Sequence, residues 1–310
     1  MTRAAVGQPR PIDAMIVGAQ KAGTSSLAYY LGQHPDVCSH SRLELSYFVD
    51  ERDYGLGYPE NYERYFGHCA ADAKLLGKSV TVMTEPRLVD RMRDHNADLR
   101  LLVILRNPVD RAYSAYWWAR RKGYETLPTF EEALDADPGR HRGNVVKVRS
   151  TSYRPFGHYA PQMAALFDRF GRDQVRVELF EDLQGDTQGV CARAFAHIGV
   201  DPEFAPDVSA RRNTSSLPRS SRLAQLLSAQ HPLKRGLRRM LPKGMAEAWK
   251  RRAERWNRVP FVQPPMNPAT RAALVEHFQP LNDDLADLIG RDLSAWNVAG
   301  NGPTQTAGDD

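Results

Sequence analysis

The stretch IVGAQKAGTSSLAYYL, Ile16–Leu31, decides the fold. It opens inside a short apolar run, Ala14–Gly18, that is typical of a buried strand. Two glycines, Gly18 and Gly23, then enclose a turn of four residues, and the amphipathic segment Thr24–Gln33 that follows is predicted to be a helix. A strand, a glycine-bearing turn and a helix N-terminus form an anion-binding site, because backbone N–H groups and the helix dipole point to one place.

The lysine of this turn is not where a nucleoside triphosphatase needs it. In a Walker loop the lysine follows the second glycine, but here Thr24 holds that position and Lys21 lies inside the turn. The second half of such a site is an acid that binds magnesium at the end of a buried strand. The most apolar run, Leu101–Leu105, ends instead at Arg106. This pattern argues against Mg–ATP and favours a ligand with a further phosphate for a guanidinium partner.

The rest of the chain alternates short apolar runs with longer amphipathic segments, which is typical of a parallel sheet covered by helices. We therefore expect an α/β, P-loop NTPase-like three-layer fold, with a central parallel sheet flanked by helices. Further strands are predicted at Leu75–Ser79, Leu101–Leu105 and Val175–Phe180, and helices at Pro108–Lys122, Thr187–Ile198 and Pro268–Ile289.

Composition excludes some classes of protein. The chain has 310 residues and a formal net charge of +5, an excess that suits an anionic ligand but is too small to predict nucleic-acid binding. No apolar run of about 18 residues occurs and the N-terminus lacks a signal-peptide pattern, so we expect a cytoplasmic protein without a transmembrane segment. The three scattered cysteines, Cys38, Cys69 and Cys191, are interpreted as buried free thiols without disulfide or metal spacing.

The domain boundaries are expected to be simple. One domain is predicted over residues 12–298, between flexible tails at 1–11 and 299–310. Residues 234–258 carry ten Lys and Arg against two acids. Two interpretations of this basic segment stay open: a solvated helix face, or a lid or docking surface for an anionic or lipid-linked acceptor within a helical region at about 225–260.

Two motifs resemble those of a known family. IVGAQKAGTSSL resembles the 5′-phosphosulfate loop of sulfotransferases that use 3′-phosphoadenosine 5′-phosphosulfate (PAPS). VILRNPVDRAYSAYWW, Val103–Trp118, resembles their 3′-phosphate motif, in which a strand-end arginine is followed eight residues later by a helix serine. The resemblance covers about residues 12–297 and is greatest for the branch that includes the heparan sulfate sulfotransferases and many bacterial ones.

The resemblance implies which residues bind the donor. Arg106 and Ser114 would hold the 3′-phosphate. The loop around Arg212, Arg219 and Ser220 falls where the family folds a segment over the cofactor. The residues implied for the 5′-phosphosulfate end are Gly18, Gln20, Lys21, Ala22, Gly23, Thr24, Ser25 and Ser26.

The resemblance also implies a catalytic group. Lys21 would stabilise the leaving phosphate, Glu44 falls on the family's catalytic glutamate, and Lys78 falls on the lysine of a Glu-Lys-Ser/Thr-Pro motif. His40 is the reserve base. The chain departs from the family beside these positions: Leu43 replaces a lysine, and Gly77 and Val80 replace the usual Glu and Pro.

The expected reaction is in-line sulfuryl transfer from PAPS to a hydroxyl or amine of a small-molecule, saccharide or lipid-linked natural-product acceptor, with a carboxylate base. The resemblance requires no metal, since lysines and backbone amides supply the cationic role. Two alternatives stay open: a P-loop-type nucleotide kinase, and a non-catalytic nucleotide- or polyanion-binding protein.

Overall fold

A computed structural model describes residues 9–137, 149–209 and 263–299 in full, and the backbone of two short strands at Ser216–Pro218 and Arg258–Pro260. The chain divides into two compact units. The first unit comprises Met1–Arg111, His158–Arg212 and His277–Asn297, and the second comprises Ala112–Gly157, Asn213–Glu276 and Val298–Asp310. The single domain and the two tails expected from the sequence stay predictions.

The first unit contains a five-stranded sheet in the order β2-β3-β1-β4-β5, and every neighbouring pair is parallel. Its strands are β1 Ala14–Gly18, β2 Val37–Ser39, β3 Lys74–Lys78, β4 Arg100–Leu105 and β5 Val175–Leu179. The predicted α/β fold with a central parallel sheet and flanking helices is therefore confirmed. β2 was not predicted, because three residues are too few to show a periodicity.

Ten helices of the described residues are numbered in chain order. They are α1 Thr24–Leu31, α2 Glu51–Gly55, α3 Tyr58–Phe66, α4 Pro86–His95, α5 Pro108–Lys122, α6 Phe130–Asp135, α7 Tyr159–Phe170, α8 Phe180–Gly185, α9 Thr187–Ile198 and α10 Pro268–Ile289. In the first unit α1 packs on α9, and α4 packs on α7. The structure confirms the predicted bounds of α5, α9 and α10, while α1 ends two residues earlier than expected.

The apolar runs form these strands because the sheet is covered on both faces. All of β1 and the five residues Leu101–Leu105 of β4 are buried, and each buried aliphatic side chain contributes about 1.5–3 kcal/mol. At the end of β4, the Asn107 side chain accepts the Val109 N–H at 2.9 Å and caps α5, whose first residue is Pro108. A rigid strand end followed by a capped helix fixes the position of Arg106 between them.

The second unit contains α6 and an antiparallel pair formed by β6, Ser216–Pro218, and β7, Arg258–Pro260. An aromatic cluster forms part of its core, in which Phe130 lies 5.1 Å from Tyr113 and 5.4 Å from Tyr116 between ring centroids. Most of the basic segment 234–258 lies outside the described residues, so its two interpretations stay predictions.

The expectation of free thiols is wrong for two of the three cysteines. Cys38 and Cys69 form a disulfide, whereas Cys191 is free and buried as expected. The two half-cystines are 31 residues apart, a spacing that carries no motif. They meet because the chain after α3 returns to the sheet edge formed by β2 before it enters β3. Structural disulfides are typical of oxidising compartments, and the cytoplasmic location stays a prediction.

Among the described residues, none of the helices has both the length and the apolar character that a membrane span requires.

Candidate active site

The glycine-bearing turn lies at the point where the strand order of the sheet reverses. β1 ends there between β3 and β4, and in open α/β sheets ligands bind in the crevice at such a point. Backbone hydrogen bonds hold the turn in place: the Ala19 N–H donates to the Ile104 carbonyl at 2.6 Å, and the Ser79 N–H donates to the Ile16 carbonyl at 2.9 Å. The carboxyl ends of three strands therefore meet at the turn.

The backbone of the turn has an unusual conformation. Gly23 has a φ of 86°, and Lys21, a residue with a side chain, has a φ of 72°. A left-handed non-glycine residue costs about 1–2 kcal/mol, and such strain is concentrated at functional sites. A Cβ on Gly23 would lie 2.9 Å from Leu183 and 3.2 Å from Phe180, so the position also requires glycine for space.

The N-terminus of α1 has the properties of an anion site. Gly23 is the N-cap residue, and no side chain caps the helix there. The Ser26 N–H donates to the Gly23 carbonyl at 2.9 Å, whereas the N–H groups of Thr24 and Ser25 have no acceptor within the helix. Of the predicted donor residues here, Ala22 and Thr24 are buried, Gln20, Lys21 and Ser26 are half-buried, and Ser25 is exposed. The turn thus combines polar side chains with outward-pointing amides.

Arg106 lies against the same turn. Its guanidinium donates to the Lys21 carbonyl at 3.0 Å and sits 4.6 Å from the centroid of the Phe180 ring. The Tyr159 hydroxyl donates to the Arg106 carbonyl at 3.0 Å. The structure therefore brings the two cationic positions of the sequence analysis together. Phe180 and Tyr159 were not predicted as site residues.

Four further residues predicted to bind the donor stay predictions. Ser114 lies half-buried in α5, within the second unit, and its role stays a prediction. Arg212, Arg219 and Ser220 lie outside the described residues.

Lys78 and Glu44 form the second half of the site. Lys78 ends β3 and is 6% exposed. Its ammonium donates to Glu44 Oε1 at 2.5 Å and to Ser25 Oγ at 3.3 Å. The exposed Glu44 also accepts the Val80 N–H at 3.3 Å. Pairing a nearly buried ammonium with a carboxylate offsets the cost of its desolvation. The same ammonium links Glu44, the predicted base, to Ser25 in the glycine-bearing turn and helix start at residues 18–26, the donor turn.

A polar network holds the loop that carries Glu44. Ser46, two residues on, donates its hydroxyl to Asp53, and Arg64 donates to the same carboxylate at 2.8 Å. The Ser46 N–H donates to the Tyr65 hydroxyl at 3.3 Å. Burial pushes the pKa of Asp53 up, but the hydrogen bonds from Ser46 and Arg64 outweigh it and lower the pKa. Asp53 is therefore a charged anchor for this loop, which the sequence analysis missed.

His40 lies near the Lys78–Glu44 pair. Burial, with the charges of Lys78 and His68, lowers its pKa to about 4. Its imidazole is thus neutral at pH 7, and within the described residues its buried Nδ1 has no hydrogen-bond partner. Which of Glu44 and His40 acts as the base stays a prediction.

The parallel sheet and the crevice at its carboxyl edge define an α/β protein of the P-loop-like class, and comparison with known proteins names the family. Residues 11–272 match the family described as "Sulfotransferase domain". The chain therefore belongs to the sulfotransferase family, as the resemblance of its two motifs predicted.

Known relatives agree with this assignment. A solved sulfotransferase from Alicyclobacillus acidocaldarius has a TM-score of 0.67 and 29% sequence identity, covering 93% of this chain and 100% of that one. The membrane-associated sulfotransferase kil1 of Dictyostelium discoideum is 29% identical over 127 residues, which are 39% of this chain and 26% of that protein.

Human heparan sulfate glucosamine 3-O-sulfotransferase 5 is 31% identical over 144 residues, or 45% of this chain and 41% of that protein. The matched part spans less than half the length of these two curated relatives.

Proposed function

We propose that the chain transfers a sulfuryl group from PAPS to a hydroxyl or amine of an acceptor. One observation carries the proposal: the Arg106 guanidinium lies 3.0 Å from the carbonyl of Lys21. The Arg106 side chain, from the end of β4, thus lies against the turn after β1 that carries Lys21. A nucleotide with phosphate groups at both its 5′ and 3′ ends has the charge pattern to use both.

The donor turn fits such a nucleotide. Gly18 and Gly23 let the backbone of the turn pack closely on its neighbours, since a Cβ on Gly18 would overlap Met83 and one on Gly23 would lie 2.9 Å from Leu183. The uncapped amides of α1 and the Lys21 ammonium would bind the 5′ phosphosulfate, and Arg106 the 3′-phosphate. Ser114, Arg212, Arg219 and Ser220 complete the proposed donor site.

Each half of the site has one role in the proposed reaction. An acceptor oxygen or nitrogen forms a bond to sulfur while the bond from sulfur to the bridging phosphate oxygen breaks, and the electron pair of that bond stays on the phosphate. Lys21 stabilises the charge that develops there. Glu44 accepts the proton that the acceptor loses. Lys78 orients Glu44 and, through Ser25, holds the base at a fixed distance from the donor turn.

The acceptor is proposed as a small molecule, a saccharide or a lipid-linked natural product. The exposed position of Glu44, on a loop at the mouth of the crevice, supports an acceptor that approaches from solvent. The resemblance to a human enzyme whose name specifies heparan sulfate glucosamine supports a saccharide among these classes.

Nucleotide preference tests the donor assignment. Titration calorimetry should show adenosine 3′,5′-bisphosphate binding at least about tenfold more tightly than ATP with magnesium, because only the former engages both cations. Arg106→Ala should remove that preference. Arg100→Ala, at the opposite end of β4, is the matched control and should keep it. A preference for ATP–Mg would instead support a nucleotide kinase.

Transfer itself needs a separate assay. PAPS labelled in its sulfate, incubated with a panel of phenols, sugars and amines, should give at least one labelled product. Tight binding of the bisphosphate without transfer to any acceptor of such a panel would favour the non-catalytic nucleotide-binding alternative.

A further inference from the structure

The side chain of His68 lies beside the disulfide at the outer edge of the sheet. The Nε2 atom of His68 is 3.5 Å from the sulfur of Cys38 and 3.8 Å from that of Cys69. All three donor atoms lie within 4.8 Å of one another. Two sulfurs and one imidazole nitrogen are the donor set of a zinc-type site.

The spacing matches the geometry of such a site. With Zn–S bonds of about 2.3 Å and Zn–N bonds of about 2.0–2.1 Å at tetrahedral angles, a sulfur and a nitrogen on one ion are separated by about 3.6 Å. Both sulfur–nitrogen distances, 3.5 and 3.8 Å, are close to that value. The imidazole therefore lies within reach of both sulfurs while they are still joined in the disulfide.

The backbone holds the three residues in place. Cys38 is paired with Leu75 in the β2–β3 ladder, and the Cys69 N–H donates to the Phe66 carbonyl at 2.8 Å at the end of α3. The Cα atoms of the two cysteines are 5.8 Å apart. After reduction, rotation about the Cα–Cβ bonds can separate the sulfurs to the distance of about 3.8 Å that tetrahedral coordination requires. Only side chains need to move.

We propose that Cys38, His68 and Cys69 form a second site, which binds a zinc-type divalent cation when the disulfide is reduced. A dithiol reductant supplies two electrons and two protons: the Cys38–Cys69 bond breaks, both residues become thiols, and the reductant becomes a disulfide. The cation then displaces the two thiol protons and forms two bonds to sulfur and one to the neutral imidazole. His68 is exposed, so water takes the fourth position.

The matched control is a cysteine of the same chain. Cys191 is buried and far from any such cluster, and burial raises its pKa to about 12, so it stays a protonated thiol. Cys191→Ser should therefore leave metal binding unchanged. His68→Ala removes one ligand without touching the disulfide.

The experiment compares the oxidised and reduced full-length chain. The protein is reduced with a dithiol, freed of it under argon, and counted for thiols after denaturation, where one thiol marks the oxidised and three the reduced form. Zn²⁺ is then titrated against a chromogenic chelator, and Co²⁺ in a second series reports tetrahedral thiolate ligation by its visible spectrum. Circular dichroism verifies that each form is folded.

Reduced wild type and Cys191→Ser should bind one Zn²⁺ at least about 100-fold more tightly than the oxidised form. His68→Ala should weaken binding of the reduced form at least about tenfold. Equal affinity of the oxidised and reduced forms, or of His68→Ala and wild type, would overturn the proposal.

Discussion

The two halves of the crevice are built in different ways. The donor half is a contiguous turn whose shape comes from backbone conformation, with φ angles of 72° at Lys21 and 86° at Gly23. The base half is a contact between Lys78 and Glu44, which are 34 residues apart in the chain. The donor half is thus specified locally and is intolerant of change at its glycines. The base half depends on the loop that carries Glu44 and on the residues that hold this loop, and this part of the chain can change to suit a different acceptor.

The largest effect is expected where the donor half meets the developing charge. Lys21→Ala should lower kcat/KM for sulfuryl transfer about 10²–10³-fold, because it removes one charge-stabilising donor. Lys74→Ala, a lysine at the opposite end of β3 that pairs with Asp13, is the control and should be near wild type. Initial rates with labelled PAPS measure both. A Lys21→Ala enzyme at wild-type rate would break the assignment of the donor half.

A change in the base half should lower kcat and leave the affinity for the donor nucleotide nearly unchanged. Glu44→Gln keeps a hydrogen-bond acceptor for Lys78 but cannot take a proton at pH 7, so kcat should fall about 10²-fold. Binding of adenosine 3′,5′-bisphosphate by calorimetry should stay within about twofold.

Glu60→Gln, an exposed glutamate on α3, controls for the loss of one negative charge. If Glu44→Gln lost as much affinity for adenosine 3′,5′-bisphosphate as it lost in kcat, the two halves would not be separable.

A smaller effect is expected from the support of the base loop. Asp53→Asn weakens the charged hydrogen bonds to Ser46 and Arg64, and we expect kcat to fall about tenfold through misplacement of Glu44. Asp72→Asn, on an exposed turn, is its control. Because the network acts through Glu44, the double variant Asp53→Asn with Glu44→Gln should be no slower than Glu44→Gln alone. If the losses in kcat of the two single variants added up in the double variant, Asp53 would not act through Glu44.

Substitution of His95, which lies outside both halves, should not change the rate of transfer at pH 7.5 but should change how stability depends on pH. His95, at the end of α4, accepts the Ile12 N–H at 3.1 Å, and burial lowers its pKa from 6.5 to about 4. The folded state thus favours the neutral imidazole. Its stabilising contribution is complete above about pH 6.5 and declines as the pH falls towards 4.

The unfolding free energy of the wild type should therefore drop between pH 7.5 and 4.5 by about 2–3 kcal/mol more than that of His95→Gln. Urea unfolding at the two pH values measures this difference. Equal drops would show that His95 is not the group responsible.

The shape of the turn was easier to predict from the sequence than the contact between Lys78 and Glu44, for a physical reason. The strand Ala14–Gly18, the turn and the start of α1 are consecutive, and their glycine spacing is visible in the sequence. The proximity of Arg106 to Lys21 followed from expecting both at the carboxyl ends of parallel strands. The stacking of Arg106 on Phe180 and the anchoring of Ser46 by Asp53 did not, because these contacts join elements whose packing no local pattern encodes.

The cysteines also show that a contact between distant elements cannot be predicted from a local pattern. Their spacing predicted free thiols, yet the path of the chain along the sheet edge places Cys38 beside Cys69. A pairing between residues 31 positions apart depends on where α3 ends and β3 begins in space.

By itself, the sequence determined the fold class, the glycine-bearing turn and the family, since hydrophobic periodicity, glycine spacing and the two motifs are local properties. Only the tertiary structure decided that Arg106 stacks on Phe180, that Lys78 links Ser25 to Glu44, and that two cysteines and a histidine converge. The reason is that such contacts are set by strand order and helix packing, which bring distant residues together without leaving a periodic trace in the chain.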